Sequence, residues 1–163
     1  LYRNIFNKGD NTYDETTGVA LNNGPGLYLE SPDTTSSPEK ATLKVIMDTY
    51  ADNRTEIEID NVPIKKWVNV IIRAQNTVID VYINGSIAQR VILEEVPKQN
   101  YYNMHVGQNG GFSGQISNLR YYQKALNIFE IKQILDEGPN LKSDVSTSGY
   151  YNYLSNLWYS ANF

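Results

Sequence analysis

The chain has 163 residues, a formal charge of −4 at pH 7 and no cysteine, which is enough for one domain with its own core and excludes disulfides, thiolate metal sites and cysteine nucleophiles. Lysines and arginines are scattered, so there is no electrostatic footprint for a phosphate backbone and nucleic acid is not an expected partner. Apolar residues at 40% and charged residues at 20% fit a folded globular chain, and the longest apolar run, around 70–72, is far too short to span a bilayer.

The first residue is Leu1, with no basic-then-apolar leader, as expected of a piece of a longer polypeptide; a membrane would be reached only through an anchor upstream. From Arg3 to Tyr122 short alternating segments separated by turn residues predict strands at 4–7, 26–30, 41–48, 55–60, 67–75, 78–84, 86–93, 101–106 and 114–122. That is the spacing of an all-β sandwich. The run SPDTTSSPE at 31–39 reads as an exposed loop, a plain connector in preference to a binding loop.

In EIEID, residues 56–60, strand alternation puts Glu56, Glu58 and Asp60 on one face and two isoleucines on the other. Trp67 opens the next strand and is expected to anchor the core. Further on, Ile79, Val81 and Ile83 share a core face, while Val78, Asp80 and Tyr82 share a partly wet one. Gln75-Asn76-Thr77 separates two apolar runs, and Asn84-Gly85 is a strong hairpin signal because both residues tolerate positive φ. Gly110, Gly111 and Gly114 permit a tight turn and close backbone approach before the last predicted strand.

One helix is expected. Asn127 and Glu130 form a capping pair, Ile128, Ile131 and Leu135 line one face, and Gly138-Pro139 stops it; it should plug one end of the sandwich. A polar stretch then leads to the aromatic tail YYNYLSNLWYSANF at 150–163, which either packs back on the domain or contacts a neighbouring chain. The domain is therefore placed at 1–138 and the tail at 139–163.

The acids of EIEID raise the question of glycoside hydrolysis. Same-face neighbours on a strand lie about 6.6 Å apart in backbone position, within the range glycosidase carboxyl pairs use. Acids on the wet side of an alternating strand explain the same pattern without chemistry, and no catalytic residue is assigned. His105, the only histidine, has no Gly-x-Ser-x-Gly elbow beside it and reads as structural. Asp10, Asp33, Asp48, Asp52 and Asp80 are available for calcium, with Asp48 and Asp80 the candidate ligands, but no dense Asp-x-Asp loop occurs. No cofactor is expected, calcium alone being left open. A carbohydrate site would draw on Tyr101, Tyr102 and Tyr122 for stacking. The sequons at Asn53 and Asn84 carry little weight in an asparagine-rich chain.

The motifs Val62-Pro-Ile-Lys-Lys-Trp67, Ile79-Asp-Val-Tyr-Ile-Asn-Gly85, Gly110-Gly-Phe-Ser-Gly114, Ser117-Asn-Leu-Arg-Tyr-Tyr122, Ala125-Leu126 and Phe129-Glu-Ile131, in this order, resemble the concanavalin A-like lectin/glucanase superfamily in its laminin-G-like branch. The resemblance is nearest to the form found in structural proteins of nucleocytoplasmic large DNA viruses. It implies a jelly-roll sandwich of two antiparallel sheets in which Trp67, Asn84, Gly85, Gly111 and Gly114 are scaffold residues. It also implies a module displayed on a virion or an extracellular surface, meeting other structural proteins or glycans, with oligomerisation left open. Relatives often bind calcium through aspartates and loop carbonyls. Glucanases of the superfamily carry Glu-x-Asp-x-Glu, whereas this chain has Glu56-x-Glu58-x-Asp60, with the central and final acids exchanged. Family members also carry one or two further strands ahead of Asn4, so a partner or a preceding stretch is expected at that edge. The functional expectation is a non-enzymatic interaction module, with a lectin domain for attachment as the alternative.

Overall fold

The computed structural model describes residues 1–30, 40–51 and 53–141. The 31–39 loop, Asp33, Asp52 and the 150–163 tail lie outside the described residues. Eight strands form: β1 (Tyr2–Lys8), β2 (Gly26–Glu30), β3 (Lys40–Asp48), β4 (Arg54–Pro63), β5 (Val70–Gln75), β6 (Val78–Ile83), β7 (Ser86–Ile92) and β8 (Met104–Val106). Helix α1 spans Ile128–Glu137. The strands make a five-stranded sheet in the order β4-β3-β2-β1-β8 and a three-stranded sheet β5-β6-β7, every pair antiparallel.

Alternation decides which side chains enter the core. Leu43, Val45 and Met47 of β3 and Ile57 and Ile59 of β4 point inward against Ile79 and Val81 of β6. Each such side chain contributes about 1.5–3 kcal/mol by leaving water. In β4 the pairing shifts between Ala41↔Val62 and Leu43↔Ile59, where Asn61 takes φ 61. The bulge inserts one residue, so Val62 returns to the core although its parity would have turned it outward.

Both hairpins of the smaller sheet are tight. Gln75 pairs with Val78 and Ile83 with Ser86, leaving two-residue loops at 76–77 and 84–85. Asn84 and Gly85 have φ 50 and 81, the pair of positive values that a type I′ turn requires. Gly85 also governs packing, since a Cβ there would lie 2.6 Å from Leu135 Cδ2; its bare α-carbon lets α1 approach the hairpin.

That approach corrects two expectations. Helix α1 does not plug an end of the sandwich; Ile131 and Ile134, with Leu126, pack on Tyr82 and Ile71 over the outer face of the small sheet. The face carrying Asp80 and Tyr82 is consequently buried, not partly wet. The helix itself begins as its sequence predicts. Asn127 Oδ1 accepts from Glu130 N at 2.9 Å, and Asn127 N donates to Glu130 Oε2 at 2.8 Å, a reciprocal capping box.

Three further expectations are revised. Trp67 lies in the loop before β5 and is 43% exposed, so it is not a core anchor. The eighth strand is confined to Met104–Val106, which leaves Tyr101 and Tyr102 in a loop. No strand forms over 114–122, because that segment finds no neighbour to pair with among the described residues. Gly111 is nonetheless the tight turn foreseen, with φ 53 and a Cβ position 2.8 Å from Gly107 O, and Gly114 sits against the Phe112 ring.

Candidate functional site

One end of the five-stranded sheet gathers the end of β1, the start of β2, the end of β3, the start of β4 and the loop before β8. Asp48, the last residue of β3, organises it. Its Oδ2 accepts from Asn23 N at 2.6 Å and its Oδ1 from Arg54 Nε at 3.2 Å. Arg54 Nη2 continues to the carbonyl oxygens of Ala20 at 3.3 Å and Leu21 at 3.0 Å. Tyr28, fully buried, donates to Asn23 Oδ1 at 2.5 Å and accepts from Ala20 N at 3.1 Å. Burial pushes its hydroxyl pKa up to about 12, since a phenolate there would be cut off from water.

The 96–103 loop before β8 is fixed from two sides. Lys98 N donates to Asp48 O and Tyr50 N to Val96 O. Lys8 Nζ, at the end of β1, donates to Asn100 O at 2.9 Å, Asn100 Oδ1 at 3.2 Å and Tyr102 O at 2.9 Å, and Asn100 Nδ2 returns a bond to Lys8 O at 2.9 Å. Tyr101 and Tyr102 are thus held on a pinned loop with their rings outward, Tyr101 being 87% exposed. Between the loops lies an open cleft of about 330 Å³ lined by Leu21, Asn22, Asp48, Arg54 and Lys98. It brings the Arg54 guanidinium and the Asn22 amide beside the Asp48 carboxylate, with tyrosines on the adjoining loop. Such a lining suits a ligand rich in hydroxyl or carboxylate oxygens.

The residues singled out in the sequence do not all meet here. Tyr101, Tyr102 and Asp48 belong to this end of the sheet. Tyr122 follows Arg120, which pairs with Glu137 of α1 at 2.7 Å; no hydrogen bond or ion pair joins Tyr122 to the 96–103 loop among the described residues. Asp80 is on the other sheet, fully buried between Arg73 and Arg90 at 3.1 and 2.5 Å. His105 Nδ1 sits 2.7 Å from Gln108 Nε2, and Tyr13 donates to Gln108 Oε1 at 2.6 Å, so the imidazole nitrogen facing the amide is an acceptor in a structural network.

At Asp48 and Asp80 the donor sets do not fit calcium. Asp48 Oδ1 and the carbonyls of Ala20 and Leu21 converge as oxygen ligands of a cation would, but the Arg54 guanidinium fills that place. Both oxygens of Asp80 are taken by arginines. Among the described residues no three acidic or histidine side chains come together.

The EIEID acids have a partner that the strand alone did not announce. Lys44 of β3, 5% exposed, places its Nζ 2.7 Å from Glu56 Oε2 and 2.9 Å from Glu58 Oε1 and 4.2 Å from the centroid of the Tyr2 ring. Burial opposes the lysine charge, but hydrogen bonding with Glu56, Tyr2 and Glu58 outweighs it and pushes the ammonium pKa up. Asp60 accepts from Thr42 Oγ1 at 2.8 Å. The face is solvated as expected, yet its acids are organised around one lysine.

The model of a laminin G family, described as Concanavalin A-like lectin/glucanases superfamily, matches residues 6–132. The chain belongs to this superfamily. No curated protein and no solved structure matches it. The superfamily contains both lectins and glycosidases, and a laminin-G-like domain points to a binding module. Among the described residues no helix is long and apolar enough to cross a membrane.

Proposed function

We propose that the chain is a non-enzymatic binding module that presents the 20–25, 48–54 and 96–103 loops to an oxygen-rich partner, a glycan before a protein. The observation that carries this reading is the pinned loop: Lys8 and Asn100 hold it through four hydrogen bonds, so that Tyr101 and Tyr102 are displayed with little ordering left to do on binding. Aromatic faces beside hydrogen-bond donors are what sugar rings use. A glycan array probed with the wild type and with Tyr101→Ala and Tyr102→Ala variants tests it. We expect at least tenfold weaker binding in each variant; a flat array with folded wild-type protein would remove the glycan reading.

Catalysis is not part of the proposal. A glycosidase needs one carboxyl protonated to serve as general acid, whereas Glu56 and Glu58 both accept from the Lys44 ammonium. Reducing-sugar release from a β-glucan, lost in Glu56→Gln, would reverse this. The setting we propose is a virion surface, on the likeness to structural proteins of large DNA viruses. Sedimentation in fixed ratio with a capsid protein supports it, and a freely soluble native chain counts against it.

A further inference from the structure

The chain contains three Asn-Gly dipeptides, at 23–24, 84–85 and 109–110. Asparagine is a thermolabile residue, and it loses its amide most readily before glycine, which sets no side chain in the way of its own backbone nitrogen. That nitrogen attacks the asparagine Cγ only if its N–H is free to give up the proton and the carboxamide is free to turn toward it. Hydrogen bonds decide both conditions, and the three sites differ in them.

Asn23 meets neither condition. It is fully buried, its Nδ2 donates to Ala20 O at 2.7 Å and its Oδ1 accepts from the Tyr28 hydroxyl, while Gly24 N donates to Lys8 O at 2.7 Å. Asn84 is exposed, but its Oδ1 accepts from Asn69 N at 2.9 Å, and Leu135 lies against Gly85. Asn109 meets both. Gly111 N donates to Gln108 O at 2.9 Å, closing a turn whose central residues Asn109 and Gly110 have φ 50 and 79, against 50 and 81 at Asn84 and Gly85. The two turns share these backbone angles and differ in their restraints. Asn109 and Gly110 are exposed, and among the described residues neither the Asn109 side chain nor Gly110 N makes a hydrogen bond. Arg3 stands beside this turn, its Nη1 3.6 Å from the place of a Cβ on Gly110, with no ion pair among the described residues. A cation so placed favours the deprotonated form of a neighbouring group.

We propose that Asn109 is a site of spontaneous deamidation in this protein, assisted by Arg3. Gly110 N gives its proton to hydroxide, and its electron pair forms a bond to Asn109 Cγ. The Cγ–Nδ2 bond then breaks and the amide nitrogen takes up a proton and leaves as ammonia. Water opens the resulting five-membered imide at one carbonyl or the other, giving aspartate or isoaspartate at 109, with nothing oxidised or reduced. Either product sets a carboxylate beside the Arg3 guanidinium. Isoaspartate also adds one methylene to the backbone of a turn in which Gly107 O lies 2.8 Å from the place of a Gly111 Cβ and Gln108 N is tied to Asn4 Oδ1 at 3.2 Å.

The three dipeptides serve as controls for one another. The full chain is held in mildly alkaline buffer, folded in one series and unfolded in guanidinium chloride in a second, and timed digests are resolved by mass spectrometry into asparagine, aspartate and isoaspartate forms at each site. In folded protein Asn109 should react at least tenfold faster than Asn84, with Asn23 the slowest. In denaturant the three rates should draw together, because the restraints that separate them are gone. Arg3→Gln, a change at an exposed side chain, should slow the reaction at Asn109 and leave Asn84 as it was. Equal rates at Asn84 and Asn109 in folded protein, or reaction at Asn109 only in denaturant, overturn the proposal. A rate at Asn109 untouched by Arg3→Gln overturns the part given to Arg3.

Discussion

The outer faces of the two sheets answer the same problem with opposite charges. On the five-stranded sheet a buried lysine, Lys44, sits between two acids whose side chains are 44% and 57% exposed. On the three-stranded sheet a buried acid, Asp80, sits between two arginines, Arg73 at 21% and Arg90 at 57% exposed. The difference is the cover. Helix α1 and Leu126 close the Asp80 face, and Arg73 is drawn into that cover by donating to Leu126 O at 2.8 Å; the partners of Lys44 stay in water. A buried charge depends on its partners most where those partners cannot be replaced by solvent.

Arg73→Ala should therefore have the largest effect. It leaves a fully buried carboxylate with one half-exposed partner and frees the Leu126 carbonyl, at a cost of about 3 kcal/mol in urea unfolding. Arg90→Ala should cost less than Arg73→Ala, since water can reach the place it vacates. On the other face Lys44→Met keeps the aliphatic stem, removes the ammonium from over the Tyr2 ring and releases two glutamates that are already half hydrated. The expected loss is about 1–2 kcal/mol. A Lys44→Met variant less stable than Arg73→Ala would show that cover does not set the ranking.

Acid and alkali sharpen the same contrast. Hydrogen bonds from Arg90, against the cost of burial, hold the Asp80 carboxyl below the usual carboxylate range. Its contribution is present above the unfolded value near 4 and disappears as pH falls through the lower folded value. The Lys44 ammonium is shifted the other way, so its own contribution is present below about 10.4 and is lost as pH rises through the higher folded value. Denaturant midpoints of wild type, Asp80→Asn and Lys44→Met at several pH values check this. The Asp80→Asn deficit should shrink in acid and the Lys44→Met deficit in alkali.

Neither cluster was visible as such in the sequence, for different reasons. Alternation exposed Glu56 and Glu58, and the pairing Lys44↔Glu58 and Asp48↔Arg54 follows once the β3–β4 hairpin register is fixed; the signal for Lys44 and Arg54 was present but needed that register. The burial of Asp80 needed more, because the helix covering it arrives from 126–135 and fits only where Gly85 lacks a side chain. The strands and the capping box were legible because their causes are local. Segment 114–122 has the local pattern of a strand and no partner among the described residues, and a ladder is not a local property. The binding loops divide in the same way: the exposed tyrosines could be nominated from composition, but the Lys8 and Asn100 clamp joins residues 92 positions apart and leaves no pattern in the chain.

The smallest test separates cover from charge. Asn127→Ala removes the side-chain bond to Glu130 N without touching Asp80 or its arginines, and the loss of a helix cap costs about 1 kcal/mol. If α1 is what keeps water from Asp80, the variant should speed amide exchange in β6 beneath the helix while leaving exchange in β3 and β4 as in the wild type. Faster exchange in α1 alone would mean that Tyr82 and the β6 ladder exclude water by themselves. The charge cluster would then owe its burial to the sheet, and the contrast between the two faces would rest on their arginines and glutamates, not on the helix.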